Sequence, residues 1–375
     1  MREIGLFCLV FYLVVPLAAG AQQLVRHANA FLQVGVEASH EALGRTLGVE
    51  EYHPGQERVN PATVATIGPR YSFGGAYTSQ FGGMAQLGAA SFAVGLDSVS
   101  GLGFHFVRLS VPDIPNTLSW RDDKGLTDYN RITRFSVADY ALFAAYGRQL
   151  YHWLNVGGSV KAIYRHEGGF ARGYGMGFDI GATYMHPRWR AAAVLHDVTT
   201  TWTFWVIHPS RLGRTVGDTV INPTPRSAEE VTAPSLALYG SYRFPTGRRV
   251  EWGIAAAIRL HFDGRSFSPL AFGSVDLQPA IGAWCTIAGV AHIRLGARQF
   301  QLFHQWEKRR TLIFTPSAGV GVSAYGVRID YSFSAPLTGI STRFTHLVSL
   351  GISLKRRFPL EPKPGGSDIE LQQPL

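Results

Sequence analysis

The chain has 375 residues, of which 46% are hydrophobic and only 16% are charged, and its formal net charge is +9 at pH 7. About a quarter of the residues of an average soluble protein are charged, so this composition disfavours an ordinary soluble domain. A basic balance also occurs in nucleic-acid-binding proteins, but the sequence has no basic cluster and no aromatic stacking platform. We therefore expect no nucleic-acid partner, and we assign the arginines to lipopolysaccharide phosphates or to a lumen.

Residues 1–21 have the pattern of a secretory signal peptide. Arg2 precedes an apolar run at residues 4–15, and Ala19, Gly20 and Ala21 provide an A-x-A cleavage site. The run is too short to span a bilayer. We expect export, and a mature chain whose only cysteine is Cys285, so that no internal disulfide forms.

Residues 22–67 differ in character from the rest of the chain. Mixed apolar spacing at residues 31–47 predicts a short helix, and residues 50–61 are polar and rich in turn formers. The segment precedes the first predicted strand and is too long for a simple leader. We predict a plug or cap in the periplasmic mouth of a barrel; the alternative is a loose N-terminal arm.

The clearest strand pattern lies at residues 153–184. On each side of a turn at residues 167–171, apolar residues alternate with small or polar ones, as they do along strands whose two faces meet different environments. Strands of about ten residues, with Tyr or Trp at the ends of the apolar face, are typical of outer-membrane barrels. The alternative reading is a soluble β-sandwich.

The same alternation predicts about 14 strands in the region 68–358. They cover residues 69–80, 83–95, 101–111, 135–149, 152–166, 172–186, 188–198, 233–244, 250–261, 275–285, 289–299, 313–322, 325–334 and 345–357. Long connections follow most odd-numbered strands and short ones follow the even-numbered strands, as in up-and-down barrels with both termini in the periplasm. Closure pairs residues 71–77 with residues 348–354, because open edges are costly in lipid.

The predicted fold class is therefore all-β: a transmembrane up-and-down antiparallel β-barrel of about 14 strands with an N-terminal plug. Residues 359–375, rich in Pro, Gly and charge, are expected to form a disordered periplasmic tail.

Polar residues at inward positions form the first candidate site. One hypothesis is that a basic lumen with a few acids holds an anionic group; the other is a wet interior whose charges neutralise one another. In the predicted register Asp179 lies across from Ser159 and diagonal to Lys161, which predicts an ion pair. The candidate lumen residues are Lys161, Arg165, Asp179, Arg259, Arg328 and Asp330.

The predicted loop at residues 199–232 carries the second candidate site, the aromatic residues Trp202, Phe204 and Trp205. These residues either contact a partner or an acyl chain, or form the top of a strand within an aromatic girdle. The sequence has no nucleophile elbow, no His-x-x-x-His pair and no phosphate-binding loop. We therefore expect neither an enzyme nor a bound metal or cofactor.

Several segments resemble one family of outer-membrane proteins. Residues 31–36 followed by Asn60, Pro61 and Ala62 are similar to the N-terminal pattern of the PorV/PorQ proteins, which are relatives of the FadL-type channels. Val59 stands where that family usually has Trp, and Thr63 stands where it has Gly. The segments that resemble its central strands are residues 135–140, 146–150, 156–161 and 177–181.

The resemblance covers most of residues 31–195 and implies a plugged barrel of about 14 strands in the outer membrane of the Bacteroidota. For PorV-type members it implies assistance in the secretion or surface attachment of exported proteins, with type IX secretion components or cargo proteins as partners beside membrane lipid and lipopolysaccharide. The alternative function is a FadL-like channel for hydrophobic small molecules. Fold alone does not decide between the two.

Overall fold

The computed structural model describes most of the chain between residues 28 and 355. The described ranges are 28–50, 52–80, 83–118, 120, 126–212, 214–216, 219–221, 226–245, 247, 249–262, 270–272, 275–304, 310–335 and 344–355. The predicted signal peptide, residues 1–21, and the predicted tail, residues 359–375, lie outside these ranges.

Nineteen strands and a few short helices are present in the described chain. The strands are β1 Arg70–Gln80, β2 Ala85–Gly95, β3 Ser100–Asn116, β4 Thr133–Tyr151, β5 Leu154–Glu167, β6 Ala171–Met185, β7 Trp189–His196, β8 Thr201–Ile207, β9 Arg214–Val216, β10 Thr219–Ile221, β11 Ser227–Thr232, β12 Ser235–Arg243, β13 Val250–His261, β14 Leu270–Phe272, β15 Val275–Ile287, β16 Ala291–His304, β17 Arg310–Ala324, β18 Val327–Ser334 and β19 Thr345–Lys355. The α-helices are Ala38–Ala42 and Pro209–Leu212, and the 3-10 helices are Ala30–Gln33, Gln56–Arg58, Pro61–Thr66 and Tyr129–Arg131.

Seventeen of these strands form one antiparallel sheet that closes into a barrel between its first and last members, and β9 with β10 form a separate pair. Tyr71 pairs with Leu354 and Tyr77 with Val348, which is the closure predicted from the sequence. The wall has 14 strands, because β7 with β8 and β11 with β12 each make up one wall strand in two pieces, and the three-residue β14 is only a short addition beside β15. The predicted closed 14-strand barrel is therefore confirmed.

Along β5 and β6, successive side chains alternate between the outer and the inner face of the barrel wall. Ser159 pairs with Asp179 in the predicted register. Val160 and Phe178, on the outward face, are exposed, whereas Lys161 and Asp179, on the inward face, are buried. Each strand thus separates an apolar outer surface from a polar interior.

Aromatic side chains form a belt at each end of the barrel. At the end that carries Arg70 and Lys355, called the short-turn end here, Trp153 packs between Tyr151 and Tyr184 with ring centroids 5.3 and 5.6 Å away. At the opposite, loop end, Tyr164 packs between Tyr140 and Tyr174 at 5.8 and 5.4 Å. Trp153 and Tyr164 are separated along β5 by about 35 Å, or about 25 Å along the normal for a strand tilted by about 45°. That height matches the apolar band of an outer-membrane barrel.

Connections at the short-turn end are brief, and those at the loop end include residues 117–132 and 208–226. The predicted alternation of long and short connections therefore holds for most of the barrel. Besides the first hairpin, the connection between β5 and β6 is a second short one at the loop end, spanning residues 168–170.

The prediction of a loop at residues 199–232 is wrong in part, because strands β8 and β11 lie within this range and continue the barrel wall. The wall strand breaks at residues 197–200, where Asp197 and Thr200 adopt left-handed backbone angles, φ 55° and 59°. Its neighbour breaks at Ala233 and Pro234, since proline cannot donate to a sheet ladder. These interruptions explain why the alternation fades in this part of the sequence.

Strand β3 extends beyond the predicted end at residue 111 because it contains a bulge. The register with β4 shifts between Val111 and Ile114, and Asp113 adopts φ 57°. A bulge accommodates Pro112 and Pro115, which would otherwise interrupt the ladder.

Residues 28–67, called the N-terminal segment here, are mostly buried and contact inward-facing residues of the wall. The predicted helix at residues 31–47 is shorter than expected, since only Ala38–Ala42 is α-helical; Gly44, with φ 66°, stands just beyond its end. The division of the chain at residue 67 and the function of this segment as a plug stay predictions. Among the described residues, no helix is long and apolar enough to cross a bilayer.

Candidate functional site

The six candidate lumen residues line the barrel interior but do not form one group. Lys161 and Asp179 belong to one cluster, Arg165 to a second, and Arg328 with Asp330 to a third. Arg259 stands apart, and makes no ion pair with any residue in the described part of the chain. Most of this polar interior is therefore internally neutralised, and Arg259 is the exception among the six.

The first cluster lies at the break in the wall between β7 and β8 and stabilises it. Lys161 Nζ lies 2.8 Å from Asp179 Oδ1 and 2.7 Å from Asp197 Oδ1, so the predicted ion pair has a second carboxylate. The backbone amide of Asp197 also donates to Asp179 Oδ1, at 2.8 Å, and the hydroxyl of Thr201 donates to the Asp197 carboxylate. All these residues are buried or nearly so. The left-handed turn at Asp197 is thus fixed by the same cation that neutralises Asp179.

The second cluster surrounds the guanidinium of Arg165. Its Nε donates to Asp139 at 2.8 Å, and Nη1 lies 3.4 Å from a carboxylate oxygen of Glu230. The same guanidinium lies over the ring of Trp205, 4.8 Å from its centroid, which is a cation–π geometry. This cluster ties β4 and β5 to the two-piece wall strands at the loop end.

The third cluster connects the wall to the N-terminal segment. Asp330 accepts from Arg294 Nη1 at 2.7 Å and from Arg328 Nε at 2.6 Å. Arg328 Nη1 also lies 2.9 Å from a ring nitrogen of His53. Burial and the nearby Arg328 and Arg294 lower the pKa of His53 well below its usual value, so His53 accepts this hydrogen bond as a neutral ring.

The N-terminal segment packs closely on wall glycines. The side chain of Asn60 caps the helix Pro61–Thr66 by accepting from Ala62 N at 3.0 Å, and donates to Thr183 Oγ1 on β6 at 2.8 Å. A Cβ placed on Gly157 would lie 2.5 Å from the backbone of Pro61. The wall therefore requires glycine at this position for the segment to lie against it.

A buried acid of the segment, Glu57, lies beside a wall histidine. Glu57 Oε1 lies 3.3 Å from His105 Nδ1, and Glu57 Oε2 accepts from the Tyr52 hydroxyl at 2.9 Å and from Gly55 N at 3.0 Å. Burial, with Glu57 beside it, raises the pKa of Tyr52 well above its usual value, so the phenol stays a donor.

Cavities remain between the segment and the wall. One, of about 140 Å³, is bounded by apolar residues such as Leu32 and Phe143 and by charged ones, and it touches both wall interruptions, at Asp197 and at Ala233 with Pro234. A second, of about 350 Å³, lies nearby at the loop end and includes Gln80 and Thr345 in its lining. Empty interior space thus meets the wall where its strands are discontinuous.

The predicted loop aromatics lie on a strand, which corrects their assignment as loop contacts. Trp202 and Phe204 are 41% and 52% exposed on the outward face of β8, and Trp205 is 8% exposed and faces inward. The alternation of β8 separates them, so they are not one contact surface. Trp202 and Phe204 fit the girdle interpretation, and Trp205 belongs to the Arg165 cluster.

Sequence reasoning missed the acids and arginines of the N-terminal segment. Glu41 and Arg45 form an ion pair at i,i+4 spacing, a signal that could have been found on the predicted helix. The pairing of Glu41 with Arg298, 257 positions away, carries no local signal. Among the described residues, no group of three or more His, Cys, Asp or Glu side chains is arranged to hold a metal ion.

Comparison with solved structures shows the same barrel fold. The monoaromatic hydrocarbon channel CymD has a TM-score of 0.58 and 12% identity, covering 86% of this chain and 98% of CymD. The toluene transporter TbuX of Ralstonia pickettii has a TM-score of 0.52 and 13% identity over 86% of this chain and 99% of TbuX. The toluene transporter TodX of Pseudomonas putida has a TM-score of 0.51 and 16% identity over 84% and 96%.

A scan of protein-family models and a search of curated proteins each give no match. The likeness to the solved barrels spans nearly their whole length, and at such low identity it establishes the fold. It confirms the barrel fold that the sequence resemblance implies, and the FadL-like and PorV-type assignments stay predictions.

Proposed function

We propose that this protein is an outer-membrane channel for small hydrophobic compounds. The observation that carries the proposal is the whole-length likeness of its closed 14-strand barrel to CymD, TbuX and TodX, which are a channel and two transporters for monoaromatic hydrocarbons or toluene. The aromatic belts and the apolar outer face favour an outer-membrane location.

A route through the wall supports the same function. The cavity of about 140 Å³ touches the interruptions at Asp197 and at Ala233 with Pro234. A hydrophobic compound that enters the lumen can leave through such a gap into the surrounding lipid, because no continuous ladder of strand hydrogen bonds crosses it there. Ala28, Leu32 and Phe143 supply apolar surface to this route.

The test is uptake of toluene by cells with an intact lipopolysaccharide outer membrane and an intracellular toluene-responsive reporter. Expression of the chain should raise the initial response severalfold. Ala233→Trp fills the gap and should abolish most of that gain, whereas Ala162→Trp, on the exposed outward face of β5, should leave it unchanged. No gain with the unaltered chain, at confirmed expression in the outer membrane, contradicts the proposal.

The second candidate is the PorV-type role in secretion or surface attachment of exported proteins. It is supported by the sequence resemblance at residues 31–36, 135–140, 146–150 and 156–161, and by an interior that is largely occupied by paired charges, since a secretion partner need not conduct. Affinity purification from native outer membrane tests it. Co-purified secretion components or cargo support this role, and a lone barrel opposes it.

A further inference from the structure

Four arginines converge at the loop end of the lumen. Arg45 and Arg58 come from the N-terminal segment, Arg259 from β13 and Arg298 from β16. Arg45 and Arg259 line both the 140 Å³ and the 350 Å³ cavities, Arg58 lines the smaller one and Arg298 the larger one. Segment and wall thus supply guanidinium groups to the same space.

These guanidinium groups outnumber the carboxylates that pair with them. Glu41 accepts from Arg298 Nη2 at 2.6 Å and also pairs with Arg45. Arg58 donates to the backbone carbonyls of Leu32 and Val34. Arg259 has neither a hydrogen bond nor an ion pair with any residue that the structure describes. One carboxylate, Glu41, therefore pairs with two of the four arginines, and the other two have no carboxylate partner among the described residues.

A further acid of this wall has its own contact. Asp276 lies diagonal to Arg259 in the register of β13 and β15 and accepts a hydrogen bond from the Gln278 amide at 3.0 Å. The pairing of these strands places Gln278 itself across from Arg259. A neutral amide, and not an acid, is thus the cross-strand neighbour of the unpaired guanidinium.

Buried donors beside these cavities also lack partners within the described chain. They include the Nε atoms of Arg58, Arg259 and Arg298, and the hydroxyl of Tyr239. Tyr239 and Arg298 line the larger cavity while only 4% and 8% exposed. Buried donors are normally satisfied, so their concentration around one space points to a ligand that carries acceptors.

The positive charge of these arginines also affects pKa values in the N-terminal segment. Burial, with Arg45 and Arg259 adding to it, lowers the pKa of Arg58 to about 10. Burial lowers the pKa of His40 to about 3, opposed by Glu41 and reinforced by Arg45. A bound anion would relieve this repulsion among neighbouring cations.

The larger cavity also provides apolar surface next to the charge. Ala30, Ala237, Ala257 and Pro279 line it beside the arginines, and its volume of about 350 Å³ lies at the lower end of the range for small-molecule sites. We propose that this space binds a small organic acid, whose carboxylate lies on the guanidinium groups of Arg259 and its neighbours and whose apolar body lies against the alanines. Paired N–H donors of arginine match a carboxylate in geometry and charge.

This inference rests on the proposed channel function and names the class of its ligand, a compound that carries a carboxylate. CymD, TbuX and TodX, in contrast, are named for hydrocarbons. The test measures binding to the purified full-length chain in detergent micelles, so it does not depend on transport. Calorimetric titration with benzoate at constant ionic strength should give saturable binding. Benzyl alcohol, of similar size but uncharged, should bind at least tenfold more weakly.

Arg259→Gln should weaken benzoate binding at least tenfold, and Arg259→Lys should weaken it less. Arg172→Gln, which removes an exposed arginine from the outward parity of β6, is the matched control and should have no effect. Resistance of each folded barrel to unfolding in cold SDS confirms that the variants are comparable.

Equal binding of benzyl alcohol and benzoate, or unchanged benzoate binding by Arg259→Gln, would overturn the proposal. Phosphate that binds as tightly as benzoate would overturn the assignment to an organic acid. Loss of toluene uptake with benzoate binding intact would contradict the channel function alone, and absent benzoate binding with toluene uptake intact would contradict this inference alone.

Discussion

The N-terminal segment meets the wall through two contrasting contacts. The helix Pro61–Thr66 lies on β3, β4, β5 and β6 by close backbone packing, with Gly157 allowing the approach. The helix Ala38–Ala42 lies on β16, β17, β18 and β19 and adds buried charges, among them the ion pair of Glu41 with Arg298. We call these the packed contact and the charged contact.

The contrast shows two ways of holding a segment inside a barrel. In the packed contact, a wall glycine has no side chain and lets the segment approach closely. Such a contact depends on shape and does not change with pH. Buried ion pairs give a contact that is strong only while both partners are present, because each charge alone is expensive to bury. Substitutions in the two contacts should therefore differ in size and in pH dependence.

The largest effect is expected from Glu41→Gln in the charged contact. It leaves the buried Arg298 and the partly buried Arg45 without their carboxylate, and the loss of one member of a buried pair costs about 3–5 kcal/mol. Urea unfolding of the chain in micelles measures the loss. Replacement of Glu41 and Arg298 together by Met should recover much of it, and a loss below about 1 kcal/mol for Glu41→Gln would contradict the charged contact.

The next effect is a pH dependence from Glu37, which lies in the charged contact. The pKa of Glu37 is raised from 4.5 to about 7. Burial is the largest cause of this shift, and Arg328 and Ser39 oppose it. The folded state then holds this proton more tightly than the unfolded state. Its contribution to stability is fully present below pH 4.5 and is lost as pH rises through 7, by about 3 kcal/mol.

The difference between the wild-type chain and Glu37→Gln isolates this contribution. The wild-type free energy of unfolding should fall relative to that of the variant between pH 4.5 and 8. His53 and His40, whose pKa values are lowered by burial, act in the opposite direction, with stability lost as pH falls, and they cancel in this comparison. Parallel pH profiles for the two chains would disprove the shift.

The wall itself was largely predictable, whereas these contacts were not. Alternation gave the register of Ser159 with Asp179 and the closure of Tyr71 on Leu354, because a strand between two solvents repeats its pattern every second residue. The break at Asp197 depends on Lys161 and Asp179, which are distant in sequence. The pairing of Glu41 with Arg298 is likewise set by the closed barrel and not by local sequence.

A smaller effect is expected from Gly157→Ala in the packed contact. The new Cβ would lie 2.5 Å from the Pro61 carbonyl carbon and 2.6 Å from Ala62 N, both backbone atoms, so the segment must shift; overpacking of this kind costs about 1–3 kcal/mol. Gly158→Ala is the matched control, since the nearest atom to its Cβ is 3.7 Å away. Urea unfolding should show a loss for the first variant only, and the same loss at pH 5 and pH 8. An equal response of both variants would indicate a strand effect unrelated to the segment.

The smallest effect is expected from Asn60→Ala, which keeps the packed helix but removes its cap. The side chain accepts from Ala62 N at 3.0 Å and donates to Gly48 O at 2.7 Å, and loss of such a cap costs about 1–2 kcal/mol. Asn116→Ala provides the control, because the Asn116 side chain likewise accepts from Leu118 N, at 3.0 Å, in a hydrogen bond that is exposed to solvent. Urea unfolding should show a loss of a few tenths of a kcal/mol for the control. If both substitutions cost the same, the buried cap contributes no more than a surface turn, and glycine packing alone holds this contact.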